Sequence, residues 1–103
     1  MNDSWPDLPS QGFIVGRPAT LEDAQRGDAV FHTNGTGGDA ATVAIPQYAY
    51  WSESPGEKLA VILVQAEHSP DGPILVGLRD LNGNDILATM SELELLGTKK
   101  PNL

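Results

Sequence analysis

The strongest secondary-structure signal in the sequence is KLAVILVQAEH, residues 58–68. Residues 59–64 are all apolar, and a continuous apolar run of this length is typical of a central strand covered on both faces. The run is far too short to cross a bilayer, which takes ~20 residues. From Gln65 to His68 the pattern becomes polar, which indicates that the strand ends near solvent.

Weaker β signals flank this strand on both sides. Further strands are predicted at residues 13–15, 28–33, 40–51, 74–81 and 86–90, with residues 93–97 fitting a last strand or a helix end. Pro46 cannot donate to a strand ladder, so the strand at 40–51 is expected to be an edge, bulged or broken there. Asn82-Gly83 favours a hairpin turn. A short helical turn is predicted near residues 20–25, and the sum is a mainly β, antiparallel fold of about five to six strands.

Length and composition predict one domain. The chain has 103 residues, no cysteine and an apolar fraction of 40%, which suits one core without disulfides or cysteine-ligated metal. We expect a flexible N-terminal arm at residues 1–11, a single β-barrel domain at 12–97 and a C-terminal tail at 98–103. Within the arm, Trp5 and Leu8 are the residues able to hold it against the body.

Charge restricts the classes of partner. Six Lys and Arg residues stand against 14 Asp and Glu residues, giving a formal net charge of −8. Phosphate backbones and anionic lipid surfaces are repelled by such a charge, so we expect neither nucleic-acid nor membrane binding. The expected partner is a protein or peptide of neutral or basic character, although the charge also fits a purely solubilising role. The N-terminus has no signal-peptide pattern, and a cytoplasmic location without a cofactor is expected.

A fold-level resemblance covers residues 27–97. The segment Gly27-Asp28-Ala29-Val30-Phe31 is followed by a long loop, two long antiparallel strands and residues 76–80 with Asn82-Gly83, and Leu93-Glu94-Leu95-Leu96-Gly97 closes the pattern. This order resembles an SH3-like β-barrel. The resemblance implies a compact barrel of a kind often used for binding, and it implies no catalytic residue. The segment at 12–16 is additional to a minimal barrel, so an open β-sandwich stays an alternative.

The candidate binding surface is the aromatic strand Tyr48, Tyr50 and Trp51 with the acidic turn that carries Glu53 and Glu57. Tyr and Trp offer large, rigid contact area with a polar tip, and acidic residues would steer a basic partner. In a regular strand Trp51 faces away from the two tyrosines, so a core position for Trp51 is the competing interpretation. A further hypothesis places the arm, with its prolines, in the aromatic groove of its own chain.

Two other classes of function stay open. His32, Glu67 and His68 are the candidate ligands or bases of a small metal-dependent or hydrolytic enzyme, because histidine beside carboxylates serves both roles. Their spacing matches no zinc or iron pattern, so a binding function is favoured over an enzymatic one. The third class is a structural subunit of a larger assembly in which an edge strand, such as the one that holds Pro46, pairs with a neighbouring subunit. The sequence does not predict the oligomeric state.

Overall fold

The structure is a computed structural model, which describes residues 5–16, 21–26, 29–33, 42–68 and 73–101. Eight strands, one α-helix and one 3₁₀ turn lie in these ranges: β1 (Phe13–Gly16), α1 (Leu21–Gln25), β2 (Val30–Thr33), β3 (Thr42–Ile45), β4 (Gln47–Trp51), β5 (Leu59–His68), β6 (Leu75–Asp80), β7 (Asp85–Thr89), the 3₁₀ turn (Met90–Glu92) and β8 (Leu93–Gly97). The mainly β prediction is confirmed. The glycine-rich stretch 34–39 lies outside the described residues.

Six of the strands form one sheet in the order β7-β6-β5-β4-β8, and β1 pairs with the second half of β5. Strands β2 and β3 form a separate pair. Four pairings are antiparallel as predicted, whereas β1–β5 and β2–β3 run parallel. A parallel pair needs a crossover instead of a tight turn, and residues 17–58 supply a long one between β1 and β5. Within the described ranges β1, β7 and β8 each pair with one strand of the large sheet only, and β7 and β8 do not pair with each other.

Pro46 accounts for one of the two strands that the described ranges contain beyond the six expected, and the segment 93–97 accounts for the other. It divides the predicted strand 40–51 into β3 and β4, and the chain passes there from the small sheet to the large one. A residue without a backbone N–H cannot continue a ladder on both sides, so a break at this position follows from its chemistry. The segment 93–97, which fits a strand or a helix end by sequence, is strand β8.

The main core lies between the large sheet and the β2–β3 pair. Its buried members come from both sheets: Phe31, Val43, Ile45, Ala49, Val61, Leu63, Ala66, Val76, Leu78 and Ala88. The apolar run of β5 alternates between this core and the opposite face of the sheet, where Ile62 belongs to a second cluster with Trp5 and Tyr48. As predicted for a central strand, both faces of β5 are therefore covered over its first half.

The helical content among the described residues is small. No described helix has the length and the apolar character needed to cross a membrane. The predicted turn near residues 20–25 is present as α1, a helix of five residues. Its Asp23 is 1% exposed and pairs with Arg26, so this helix contributes a buried carboxylate to the body.

Candidate binding surface

The large sheet has one face toward the main core and one face away from it, which we call the outer face. Backbone register places four residues in one row across β1, β5, β6 and β7: Phe13, Gln65, Gly77 and Leu87. The neighbouring row, Ile14, Ala66, Val76 and Ala88, belongs to the main core. Because side chains alternate along a strand, the first row lies on the outer face.

An open groove runs along this row. Phe13 and Leu87 are 65% and 77% exposed and stand at its two sides, three strand spacings or about 14 Å apart. The cleft measures about 410 Å³, and Gly77 lies in its floor. A Cβ atom at Gly77 would come within 3.0 Å of the Cβ of Gln65, so a side chain here would both fill the groove and press on its neighbour. Pro9 and Gln11 of the N-terminal segment form part of its wall.

The other half of the outer face is covered by residues 5–12, which we call the arm segment. Trp5 is 5% exposed and lies edge-on to Tyr48 and Tyr50, with ring centroids 5.3 and 5.8 Å apart. Leu8 packs against the same cluster. The two tyrosines occupy alternate positions of β4 and so point to one face, where together they hold the indole. The structure thus brings two predicted site residues together, beneath the arm.

Two polar contacts join the arm segment to the body. The Tyr48 hydroxyl donates a hydrogen bond to the backbone carbonyl of Pro6, and burial raises the pKa of this hydroxyl above its ordinary 10.0. The Lys100 ammonium lies 2.8 Å from a carboxylate oxygen of Asp7. Their hydrogen bond is the main reason that the pKa of Asp7 falls below its ordinary 3.8. Both side chains of this ion pair are mostly exposed, so it contributes little to stability.

Trp51 lies on the face opposite to the tyrosines, as strand alternation predicts. It is half-buried against the main core, and its Nε1–H donates to Oε1 of Glu92 at 2.7 Å. This bond is the main cause that lowers the pKa of Glu92 below its ordinary 4.5. Glu53 and Glu57 are exposed in the turn beyond β4, where Ser54 Oγ donates to Glu57 at 2.8 Å. The five predicted site residues therefore lie on three surfaces.

Near Trp51 the ends of β4 and β8 enclose a second, acidic cleft of about 410 Å³. Its lining consists of Ser52, Glu53, Ser54, Pro55, Ser91, Glu92, Leu93 and Glu94. Glu94 pairs with Lys58 at 2.7 Å, which is the main cause that raises the pKa of this lysine. The Lys58 ammonium also lies 5.7 Å from the centre of the Tyr50 ring. Most of the charge in this cleft is negative.

The candidate residues of the enzymatic alternative, His32, Glu67 and His68, differ in burial. His68 is buried, with Nε2 3.5 Å from Oδ2 of Asp23 and its ring edge-on to Phe31. Neither ring nitrogen of His68, nor Nε2 of His32, has a hydrogen-bond partner in the described part of the chain. Across residues 5–16, 21–26, 29–33, 42–68 and 73–101, no group of three or more His, Asp and Glu side chains could hold a metal ion. Glu67 precedes His68 on β5 and is half-buried.

Sequence reasoning missed the residues of the open groove, Phe13, Gly77 and Leu87. One available signal was Gly77 inside a strand pattern, since such a glycine marks a bulge or a close approach. The exposure of Leu87 had no such signal, because the segment Asp85-Ile86-Leu87-Ala88-Thr89 has apolar residues at both parities. Only the pairing of β7 with β6 decides which of them faces the core.

Comparisons of the chain with protein-family models, curated proteins and solved structures find no match.

Proposed function

We propose that the protein is a binding module for another protein or a peptide, and that the open groove between Phe13 and Leu87 is its main contact surface. The observation that carries the proposal is the exposure of these two large apolar side chains in one row, on either side of a glycine floor. The opposite face of the same strands is fully used by the main core, so this apolar row has no role in that core.

The shape of the groove fits a macromolecular partner. The backbones of the strands that carry its two sides are about 14 Å apart, so the space between the side chains is narrower than this and comparable to the diameter of an α-helix with side chains, about 10–12 Å. Sheets commonly bury such a face against another layer, and large apolar side chains exposed on one face beside polar residues often mark an interaction site. The pair Arg79 and Asp85, 3.5 Å apart at one end of the groove, offers polar contacts at the rim.

Charge favours a basic partner. Of six cationic side chains in the chain, Arg26, Lys58, Arg79 and Lys100 each pair with a carboxylate. The 14 acidic residues outnumber the six cationic ones by eight, so negative charge dominates the field around the molecule. In this proposal Glu53 and Glu57 keep the steering role that the sequence predicts, together with the acidic cleft beside Trp51. Steering of this kind raises the association rate at low ionic strength and weakens with salt.

The aromatic strand has a different place in this proposal from the one that its sequence predicts. Tyr48 is 1% exposed beneath the arm segment and contacts no partner while that segment is in place. The resemblance to an SH3-like barrel stays a prediction, since mainly β architecture is common to many binding and non-binding domains.

The experiment that tests the proposal compares capture by three forms of the full chain. Wild type, Phe13→Ser with Leu87→Ser, and Leu95→Ser are immobilised and exposed to an extract of the native host, and bound proteins are quantified by mass spectrometry. Leu95 is the matched control, because it is 39% exposed on β8, outside the groove. Each protein captured by wild type is then purified and its Kd measured for all three forms.

We expect a captured protein whose Kd rises about tenfold or more in the double variant, which corresponds to ~1.4 kcal/mol, and stays within about twofold in the control. The proposal is refuted if every captured protein binds the double variant as tightly as it binds wild type. The three chains are first shown to have the same circular dichroism spectrum, so that loss of folding is not read as loss of binding.

A further inference from the structure

We propose that the groove beneath the arm segment is a second binding site, occupied in this structure by the chain's own Trp5 and Leu8. In trans it takes an extended peptide with an aromatic residue, a proline directly after it and an aliphatic residue three positions beyond the aromatic. This second site rests on the proposed function in one respect: both take the outer face of the large sheet as a binding face. It concerns the covered half, and no residue changed in its test lines the open groove.

The residues that line the groove beneath the arm segment belong to the large sheet. Tyr48 and Ile62 are cross-strand partners on β4 and β5, and Tyr50 faces Ala60 in the next pair but one along these strands. Antiparallel ladders on β4 and β5 fix all four positions. The small side chain of Ala60 leaves space beside the two tyrosine rings, and there the indole of Trp5 lies.

The arm segment is held by side chains and not by a ladder. Among the described residues, no backbone–backbone hydrogen bond ties residues 5–11 to the body, and the first strand begins only at Phe13. Its anchors are the apolar contacts of Trp5 and Leu8, the hydroxyl of Tyr48 on a main-chain carbonyl, and one exposed ion pair. Release of the arm segment has to break these side-chain contacts but no backbone ladder, so exchange with an outside peptide is feasible.

The fit of Trp5 is incomplete in one respect. Its Nε1–H is buried and has no hydrogen-bond partner in the described part of the chain. Buried indole N–H groups usually find a partner, and an unmet one reduces the gain from burial. A peptide that places phenylalanine in the same seat carries no such donor, so the seat favours an aromatic side chain without specifying tryptophan.

The rest of the ligand chemistry follows from the remaining contacts. The main-chain carbonyl of Pro6 accepts a hydrogen bond from Tyr48. A residue before proline prefers an extended backbone, and Trp5 and Leu8 each precede a proline, so both favour an extended ligand. In an extended helix of three residues per turn, positions 5 and 8 lie on one side. Lys100 receives the carboxylate of Asp7 between them, so an acidic residue after the proline adds charge complementarity.

The test uses the full chain with Trp5→Ala and a synthetic peptide of residues 1–11. In wild type the tethered arm competes at an effective concentration in the millimolar range, whereas in the variant its main anchor is absent. We expect the peptide to bind the variant about tenfold or more tightly than wild type, measured by calorimetry. A peptide with alanine in place of its tryptophan is the matched control and should bind neither chain.

A second measurement covers the case in which Trp5→Ala does not fold. Wild type labelled with 5-fluorotryptophan has two fluorine signals, from Trp5 and Trp51. Unlabelled peptide at millimolar concentration should move the Trp5 signal toward that of an exposed indole and leave the Trp51 signal in place, since Trp51 lies on the other face.

The proposal is overturned if the folded variant binds the peptide no better than wild type, or if the control peptide binds equally. In the labelled wild type, an unmoved Trp5 signal overturns it. A wild-type dimer whose population grows with protein concentration, and which is absent in Trp5→Ala, would also overturn the proposal. The groove beneath the arm segment would then be occupied by a second copy of this chain. Capture that depends on Phe13 and Leu87 can survive each of these results, so the two proposals fail separately.

Discussion

The placement of Leu87 on the outer face makes a quantitative prediction about two leucines on neighbouring strands. Leu78 on β6 is 0% exposed in the main core, while Leu87 on β7 is 77% exposed. Truncation to alanine removes the same atoms at both positions. If the assignment of faces is right, the loss of unfolding free energy must differ several-fold between them.

The magnitudes follow from burial. Fully burying a leucine side chain contributes ~1.5–3 kcal/mol, and Leu87 is only 100 − 77 = 23% hidden, so Leu87→Ala should cost roughly 0.3–0.7 kcal/mol. Leu78→Ala loses the whole transfer term and leaves a cavity, which raises its cost to about 2–5 kcal/mol. Leu95, 39% exposed on β8, should fall between them at roughly 1–2 kcal/mol.

The assay is urea unfolding of wild type and the three variants, followed by circular dichroism and by tryptophan fluorescence. The loss of unfolding free energy should be smallest for Leu87→Ala, intermediate for Leu95→Ala and largest for Leu78→Ala. The slope of the unfolding free energy against urea concentration should be unchanged. A loss above about 1.5 kcal/mol for Leu87→Ala would show that this side chain is buried, and the open groove would have to be abandoned. Equal losses at Leu78 and Leu87 would refute the register of β6 and β7.

Two further predictions concern polar contacts. Trp51→Phe removes the donor to Glu92, so the pKa of Glu92 should rise toward 4.5 in a carboxyl NMR titration. Because the pKa of Glu92 is lowered in the folded state, the contact stabilises the fold above the unfolded-state pKa, and this stabilisation is lost as pH falls below about 4.5. The variant should therefore lose less stability than wild type over that pH range. An unchanged pKa of Glu92 would contradict the assignment of its cause. Asp23→Asn removes a buried charge paired with Arg26 and should lower the free energy of unfolding in urea by about 1–3 kcal/mol. Glu22→Gln, at an exposed position of the same helix, should change it by no more than ~0.5 kcal/mol. Equal losses in the two variants would show that the buried pair does not cause the destabilisation.

The sequence predicts the strands well because strong local signals specify them. Residues 59–64 are continuously apolar, and the Asn82-Gly83 pair makes the hairpin, where the backbone N–H groups of Asn82 and Asn84 donate to Asp80. These hydrogen bonds also lower the pKa of Asp80. Pro46 breaks its strand for a reason visible in its own chemistry. Such features need no knowledge of distant neighbours.

The candidate surface is a property of pairing and could not be predicted in the same way. Tyr48 and Tyr50 are correctly assigned to one side of a strand by alternation, but their burial depends on where Trp5 goes, more than 40 residues earlier in the chain. The parallel pairing of β1 with β5 brings Phe13 beside Gln65, a contact that no local pattern indicates. Sequence therefore identifies which residues can form a surface, and topology decides which of them do.

The two halves of the outer face are linked by the arm segment. Pro9 and Gln11 belong to the same chain segment as Trp5, yet they form a wall of the open groove. If both proposals hold, a partner in that groove contacts the arm segment in its closed position, while a peptide beneath the arm has to displace that segment. Because coupling between two sites is reciprocal, each ligand would then weaken the binding of the other by the same factor. The two proposals together thus predict that the open and covered grooves compete.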